Sequence, residues 1–243
     1  MQRPIIIAHR GTSGHAKQDT MEPFRKAIEI GVDMIEFDVR RTKDRVLIAY
    51  HDRSIHEKPI NQLTYREIEN GFQSKQIHVP TIEEILDLAK GKTKIDLEIK
   101  EEGYENELVE LVAMYFDEDE FVLTSFNDSS LRTIKSNYPC VKVGLILGKP
   151  KPEKYIKTRL LELFPIKRCK RVKADFLVPH FRFLKFGFLR RAEKNNKPVY
   201  VWTVNDERMI LRFLNENRVE AIITDRPDIA LAMKNRVFLT SRH

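Results

Sequence analysis

Short apolar runs, each followed by an amphipathic stretch of helical period, alternate along nearly the whole of this 243-residue chain. Strands are expected at Ile5–Ala8, Met34–Val39, Arg45–Tyr50, Lys94–Ile99, Phe121–Ser125, Val141–Leu147, Asp175–Val178, Pro198–Val204 and Ala221–Thr224. Between them, helices are expected at Met21–Ile30, Thr64–Gly71, Thr81–Ala89, Tyr104–Phe116, Ser129–Asn137, Leu184–Asn195, Glu207–Asn215 and Ile229–Lys234. Tyr155–Cys169 reads as weakly helical, after a Pro- and Lys-rich loop. Gly31 is placed to cap the first helix, and Thr81 with Glu84 forms a capping box for the third. This alternation calls for a parallel α/β fold. About eight such units in a chain of this length suit a (β/α)8 TIM-type barrel, with residues 1–243 as a single domain. A doubly wound open sheet is the alternative, but no Gly-rich dinucleotide or P-loop signature follows any strand.

One link breaks the pattern. Between Val39 and Arg45 there is no room for a crossover helix, so a turn at Lys43-Asp44 is expected to make a hairpin. Pairing Thr42 with Arg45 would set His51 opposite Glu36. The hairpin can stand above the barrel rim or lie in its wall; either way His51 returns beside the acids of the second strand.

Four of the apolar runs end in residues suited to phosphoester chemistry: His9-Arg10-Gly11, Glu36-Phe37-Asp38, His51-Asp52 and Glu98-Ile99-Lys100. Packing gives no reason to place them there, whereas an active site built on strand C-terminal ends does. Glu36 and Asp38 lie two apart on a strand and so point the same way. With Glu98 they form a set of carboxylates that repel one another unless a cation sits between them, and oxygen ligands suit one Mg2+ or Ca2+. His9 and His51 are candidates for acid–base work near neutral pH, and a neutral His51 could also be a metal ligand. Arg10 and Lys100 are candidates for holding a phosphate, or for pairing with the neighbouring acids. Phe126 and Trp202, the latter the only tryptophan, follow strands and could line a pocket or fill core.

A net charge of +7 favours anionic partners. Much of the excess lies between Lys149 and Arg191, as a basic face that binds anions or is simply solvated. Phe181–Phe188 mixes four aromatics with two cations; it could touch lipid, though packing on the barrel is the simpler reading. No apolar stretch approaches a membrane span, and the first residues lack the layout of a signal peptide. With Cys140 and Cys169 too few for a disulfide framework, a cytoplasmic location is expected.

These motifs together resemble the glycerophosphodiester phosphodiesterase family, nearly end to end. Ala8-His9-Arg10-Gly11 is similar to its opening signature, and Glu36-Phe37-Asp38-Val39 with Asp44 and His51-Asp52 to its second block. Val79–Glu84, Leu97-Glu98-Ile99-Lys100, Ser125-Phe126, Val201–Asn205 and Ile222–Pro227 fit the later blocks. The resemblance implies a (β/α)8 barrel of the phospholipase C-like phosphodiesterase kind. It implies one divalent cation on Glu36, Asp38 and Glu98, His9 and His51 as the acid–base pair, and Arg10 and Lys100 on the phosphate. It further implies attack by a substrate glycerol hydroxyl on phosphorus, a cyclic phosphate opened by water, and glycerol 3-phosphate as product. The chain departs from the family's Pro-Glu-Asn-Thr at Lys17-Gln18-Asp19-Thr20, losing a carboxylate at Gln18. The partner expected is a small-molecule phosphodiester, without nucleic acid; transient contact with a membrane surface and the oligomeric state stay open. A lysophospholipase D and a catalytically weak phosphate-ligand binding protein are the alternatives.

Overall fold

A computed structural model describes residues 4–12, 20–73, 77–148 and 155–240; Lys17 and Gln18 fall outside them. In chain order the strands are β1 Ile5–His9, β2 Met34–Arg41, β3 Leu47–Ala49, β4 Ser54–Ile55, β5 Lys58–Pro59, β6 Lys94–Ile99, β7 Phe121–Ser125, β8 Val143–Leu147, β9 Phe176–Pro179, β10 Tyr200–Val201 and β11 Ala221–Thr224. Eight of them run parallel in the order β10-β11-β1-β2-β6-β7-β8-β9. Single parallel bridges, Leu177 to Val199 and His180 to Trp202, join the two ends. The chain is therefore a nearly closed (β/α)8 barrel, as its alternation implies. β10 is shorter than expected because Pro179 and Pro198 bring no N–H to the seam with β9.

Side-chain parity on the strands decides what faces the barrel interior. On β2, Ile35, Phe37 and Val39 pack outward in the large core between strands and helices, and on β6 so do Ile95, Leu97 and Ile99. The alternate residues, Glu36, Asp38 and Arg40 on β2 and Asp96 and Glu98 on β6, then face inward. Register sets Glu36 beside Asp96 and Asp38 beside Glu98. Apart from Thr124, which bonds Asp96, the rest of the interior is filled mainly by apolar side chains: Ile7, Met34, Val122, Ile146, Phe176, Val178 and Ile223.

The outer helices are α1 Glu22–Ile30, α2 Tyr65–Phe72, α3 Ile82–Ala89, α4 Glu105–Ala113, α5 Asp128–Asn137, α6 Tyr155–Leu163, α7 Ile166–Arg171, α8 Phe188–Lys194, α9 Glu207–Leu214 and α10 Pro227–Thr240. Gly31 caps α1 at φ 77°, and Thr81 with Glu84 makes the expected capping box on α3. The single weak helix expected at Tyr155–Cys169 is two, because Pro165 starts α7 afresh. α8 begins at Phe188 rather than Leu184, after left-handed residues at Phe186 and Gly187.

The hairpin register differs from expectation by one residue. Val39, Arg40 and Arg41 face Ala49, Ile48 and Leu47, so Thr42 meets Val46 instead of Arg45. Arg45 adopts φ 70°, which lengthens the turn to three residues. Thr42 Oγ1 fastens it by accepting from the Val46 amide at 2.9 Å and donating to Asp44 Oδ1 at 2.7 Å. β3 lies off the barrel path. β1 pairs with β2 only as far as His9 beside Glu36, and β3 takes over at Val39, on the edge opposite β6. The hairpin therefore rises above the rim. The segment from β3 to α3 then folds over its own small core of Ile48, Ile55, Ile60, Leu63, Ile68 and Val79.

Candidate active site

The handover from β1 to β3 leaves a gap on the β2 edge, and both imidazoles end there. His9 is the last residue of β1, beside Glu36. Tyr50, just after β3, donates its amide to the Asp38 carbonyl at 3.1 Å, and His51 follows. The ladder register alone does not place His51. The Arg40 guanidinium does, donating to the His51 carbonyl from Nη2 at 2.7 Å and Nε at 3.2 Å, while Nη1 pairs with Glu101.

His9, Arg10, Glu36, His51, Glu98, Lys100, Phe126 and Trp202 all line one cavity of about 370 Å³ at the C-terminal end of the barrel. Asp38 is buried beside it. Each imidazole is held at Nδ1 by a carboxylate: His9 by Asp225 at 2.6 Å and His51 by Asp52 at 2.8 Å. A carboxylate only accepts, so Nδ1 carries the proton and Nε2 is the basic nitrogen of each ring. His9 Nε2 lies 3.9 Å from Glu36 Oε2. Asp225 is fixed in turn by Asn205, whose Nδ2 donates to Oδ2 at 2.5 Å and whose Oδ1 accepts the Asp225 amide at 2.9 Å.

Glu36, Asp38 and Glu98 each bring an oxygen to within 4.8 Å of the others. Lys100 Nζ bridges Asp38 Oδ1 at 2.9 Å and Glu98 Oε1 at 2.7 Å. Arg10 Nε comes within 3.0 Å of Asp38 Oδ2, but without hydrogen-bond geometry, so Oδ2 is buried with no hydrogen-bond partner. An orphaned carboxylate oxygen beside two further carboxylates is a donor set that fits a hard divalent cation. Arg10 reaches this position through a left-handed turn. It has φ 49°, and Gly11 follows at φ 71°, where a Cβ would lie 2.6 Å from the Pro23 backbone. The Arg10 amide also donates to Glu36 Oε2 at 3.1 Å.

Burial and mutual repulsion divide these acids. Burial pushes Glu98 up to about 7, against the pull of Lys100 and helped by Asp38 and Glu36. Glu36 is raised by burial, against the charge of His9. Burial would also raise Asp38, but Lys100 and Arg10 hold it below the usual carboxylate range. Asp96, fully buried, is raised well above that range by burial and by Glu36; its Oδ1 accepts from Thr124 Oγ1 at 2.8 Å and its Oδ2 has no hydrogen-bond partner. Burial lowers both imidazoles; in His9 the charge of Glu36 and the bond to Asp225 outweigh it, whereas His51 stays below its ordinary value.

Trp202 and Phe126 form an aromatic wall, edge to face at 6.0 Å. The Trp202 indole donates to the carbonyls of Val178 at 2.8 Å and Leu147 at 3.2 Å, so it also stitches the β8–β10 rim together. His180 packs behind it at 5.3 Å.

Sequence reasoning brought the nine candidate residues to one place but gave no role to Asp225, Asn205, Arg40 or Asp96. Asp225 sits just past the end of β11, as the chosen residues do at their strands, and Asn205 lies in the loop after β10. Arg40 and Asp96 share inward parity with the acids beside them.

A rim that gathers three carboxylates, two imidazoles and two cations at the C-terminal end of a parallel barrel suits the cleavage of phosphoesters. Residues 9–229 match the Glycerophosphoryl diester phosphodiesterase family. The chain is 29% identical over 244 residues to the glycerophosphodiester phosphodiesterase of Caldanaerobacter subterraneus subsp. tengcongensis, covering 93% of this chain and 96% of that one. Its fold is shared with an Oleispira antarctica phosphodiesterase solved with its product sn-glycerol 3-phosphate (TM-score 0.80, 23% identity, 96% and 97% of the two chains). It is shared also with the Thermotoga maritima glycerophosphodiester phosphodiesterase (TM-score 0.75, 22% identity, 97% and 100%). The chain belongs to the glycerophosphodiester phosphodiesterase family and is a phosphoric diester hydrolase.

Proposed function

We propose that this enzyme cleaves glycerophosphodiesters to glycerol 3-phosphate and an alcohol, with one Mg2+ or Ca2+ held by Glu36, Asp38 and Glu98. The observation that carries this reading is Asp38 Oδ2, buried without a hydrogen-bond partner beside Glu36 and Glu98, at a cavity lined by two carboxylate-anchored imidazoles. The product bound in the Oleispira enzyme supports glycerol 3-phosphate as the retained half. The alternative of a catalytically weak phosphate-ligand binding protein rests on Gln18, which lies outside the described residues.

When bound, the cation would supply positive charge that acidifies a glycerol hydroxyl and offsets charge on the phosphoryl oxygens. Arg10 and Lys100 bind the remaining phosphoryl charge. One imidazole Nε2 takes the proton of the glycerol hydroxyl as its oxygen bonds to phosphorus. The other gives a proton to the leaving alcohol as the old P–O bond breaks. The resulting cyclic phosphate is opened by water with the two roles exchanged, which restores both imidazoles. Phe126 and Trp202 supply an apolar wall for the alcohol portion. The two thiols, Cys140 and Cys169, are free, which accords with a cytoplasmic enzyme.

The test is release of glycerol 3-phosphate from glycerophosphocholine and glycerophosphoglycerol, with Mg2+, with Ca2+ and with chelator. Turnover that needs a cation and is lost in His51→Ala supports the reading. Turnover unaffected by chelator overturns the role of the acids.

A further inference from the structure

Helix α6 is amphipathic the wrong way round for a barrel helix. Its inward residue is Glu162, 1% exposed, which accepts the Gly148 amide at 2.8 Å and pairs with Arg159 at 2.5 Å. Its outward face carries Ile156 (76% exposed), Leu160 (53%) and Leu161 (45%), and Phe164 (53%) continues the same stripe. Phe186, from the loop after β9, is 75% exposed. Arg191 joins the two segments: it donates to the carbonyls of Phe186 and Leu163, and its guanidinium covers the Phe164 ring at 4.6 Å. Among the described residues only Met114 and Leu211 are large exposed hydrophobics outside this patch. Exposed apolar groups gathered on one face mark a contact surface.

The patch sits on the rim that carries the cavity. Arg159 lies over the Phe183 ring at 5.3 Å, Phe183 packs on His180, and His180 packs on the cavity residue Trp202. Exposed cations come from the neighbouring segments: Lys167 on α7, Arg182 and Lys185 between β9 and α8, and Arg190 on α8. A second copy of a chain with net charge +7 would bring like charges together around such a face. An anionic bilayer offers what the patch lacks: apolar depth for the side chains and negative headgroups for the cations.

We propose that the face formed by α6 and Phe186 docks on an anionic phospholipid surface and holds the cavity mouth against it. This surface stands apart from the reading of the reaction, and its test needs no turnover. Wild type, Leu160→Asp and Phe186→Asp are sedimented with vesicles of phosphatidylcholine alone and of phosphatidylcholine with phosphatidylglycerol, at low and high NaCl. Wild type is expected to bind the phosphatidylglycerol vesicles in a salt-sensitive way, and each variant about tenfold more weakly, with an unchanged melting temperature. Absence of wild-type binding, equal binding to both vesicle types, or equal binding by the variants overturns the proposal. So does a wild-type dimer that the same substitutions convert to monomer, since the face would then be an interface between copies.

Discussion

The Nδ1 of His9 meets Oδ1 of Asp225 at 2.6 Å, across the seam where the last barrel strand lies against the first. The contact joins positions 216 residues apart. The group presented to substrate from β1 is thus oriented by the C-terminal end of the barrel.

Asp225→Asn keeps the shape but removes the carboxylate that fixes the His9 tautomer. We expect kcat to fall by about 100-fold with little change in KM or melting temperature. Steady-state kinetics together with nitrogen NMR of the His9 ring check this. An unchanged tautomer with full activity would refute the positioning role.

Glu36→Gln removes one of four inward carboxylates on β2 and β6 while keeping an acceptor for the Arg10 amide. Like charges at close quarters destabilise the cation-free protein, so this variant should melt no lower than wild type without metal. Wild type should gain thermal stability with Mg2+ or Ca2+ and the variant should not. Turnover should drop by about a thousandfold or more. Equal metal-induced stabilisation of both proteins would count against Glu36 as a ligand.

Arg40→Ala frees the His51 carbonyl and leaves Glu101 without its guanidinium. The loss of stability should be about 1–3 kcal/mol by urea unfolding. kcat should fall by about 10-fold or more, and Arg40→Lys should recover part of it. Full activity in Arg40→Ala would mean that His51 is held by other contacts.

His78 clasps α2 to α3, with Nδ1 2.9 Å from Glu69 and Nε2 2.9 Å from Glu84. Burial lowers its pKa, but bonds to Glu69 and then Glu84 outweigh this and raise it above 6.5. A raised folded value means that the clasp contributes fully below the unfolded pKa and is lost as pH climbs through the folded one. Wild type should therefore lose more melting temperature than His78→Gln between about pH 6 and about pH 9. Parallel pH profiles for the two proteins would show that the clasp adds nothing.

Much of the rim could be read from the sequence because strand parity is a local property. Glu36 with Asp38, and Glu98 at a strand end, had to share a face wherever the barrel closed. Asp225 was not legible in the same way: its role depends on β11 closing against β1, which no local pattern encodes. The hairpin register slipped by one because a left-handed Arg45 carries no glycine to announce it. α6 and α7 read as one weak helix because Pro165 interrupts the stretch, and the pattern does not say which face turns inward.

The handover from β1 to β3 along one edge of β2 divides labour in the architecture. The carboxylates belong to the rigid wall, while His51 is delivered by an excursion that begins and ends outside it. Grafting residues 53–80 from a relative would thus remodel the approach to the cavity and leave Asp52 and the carboxylates of β2 and β6 where they are, which makes that excursion the natural unit for altering headgroup choice.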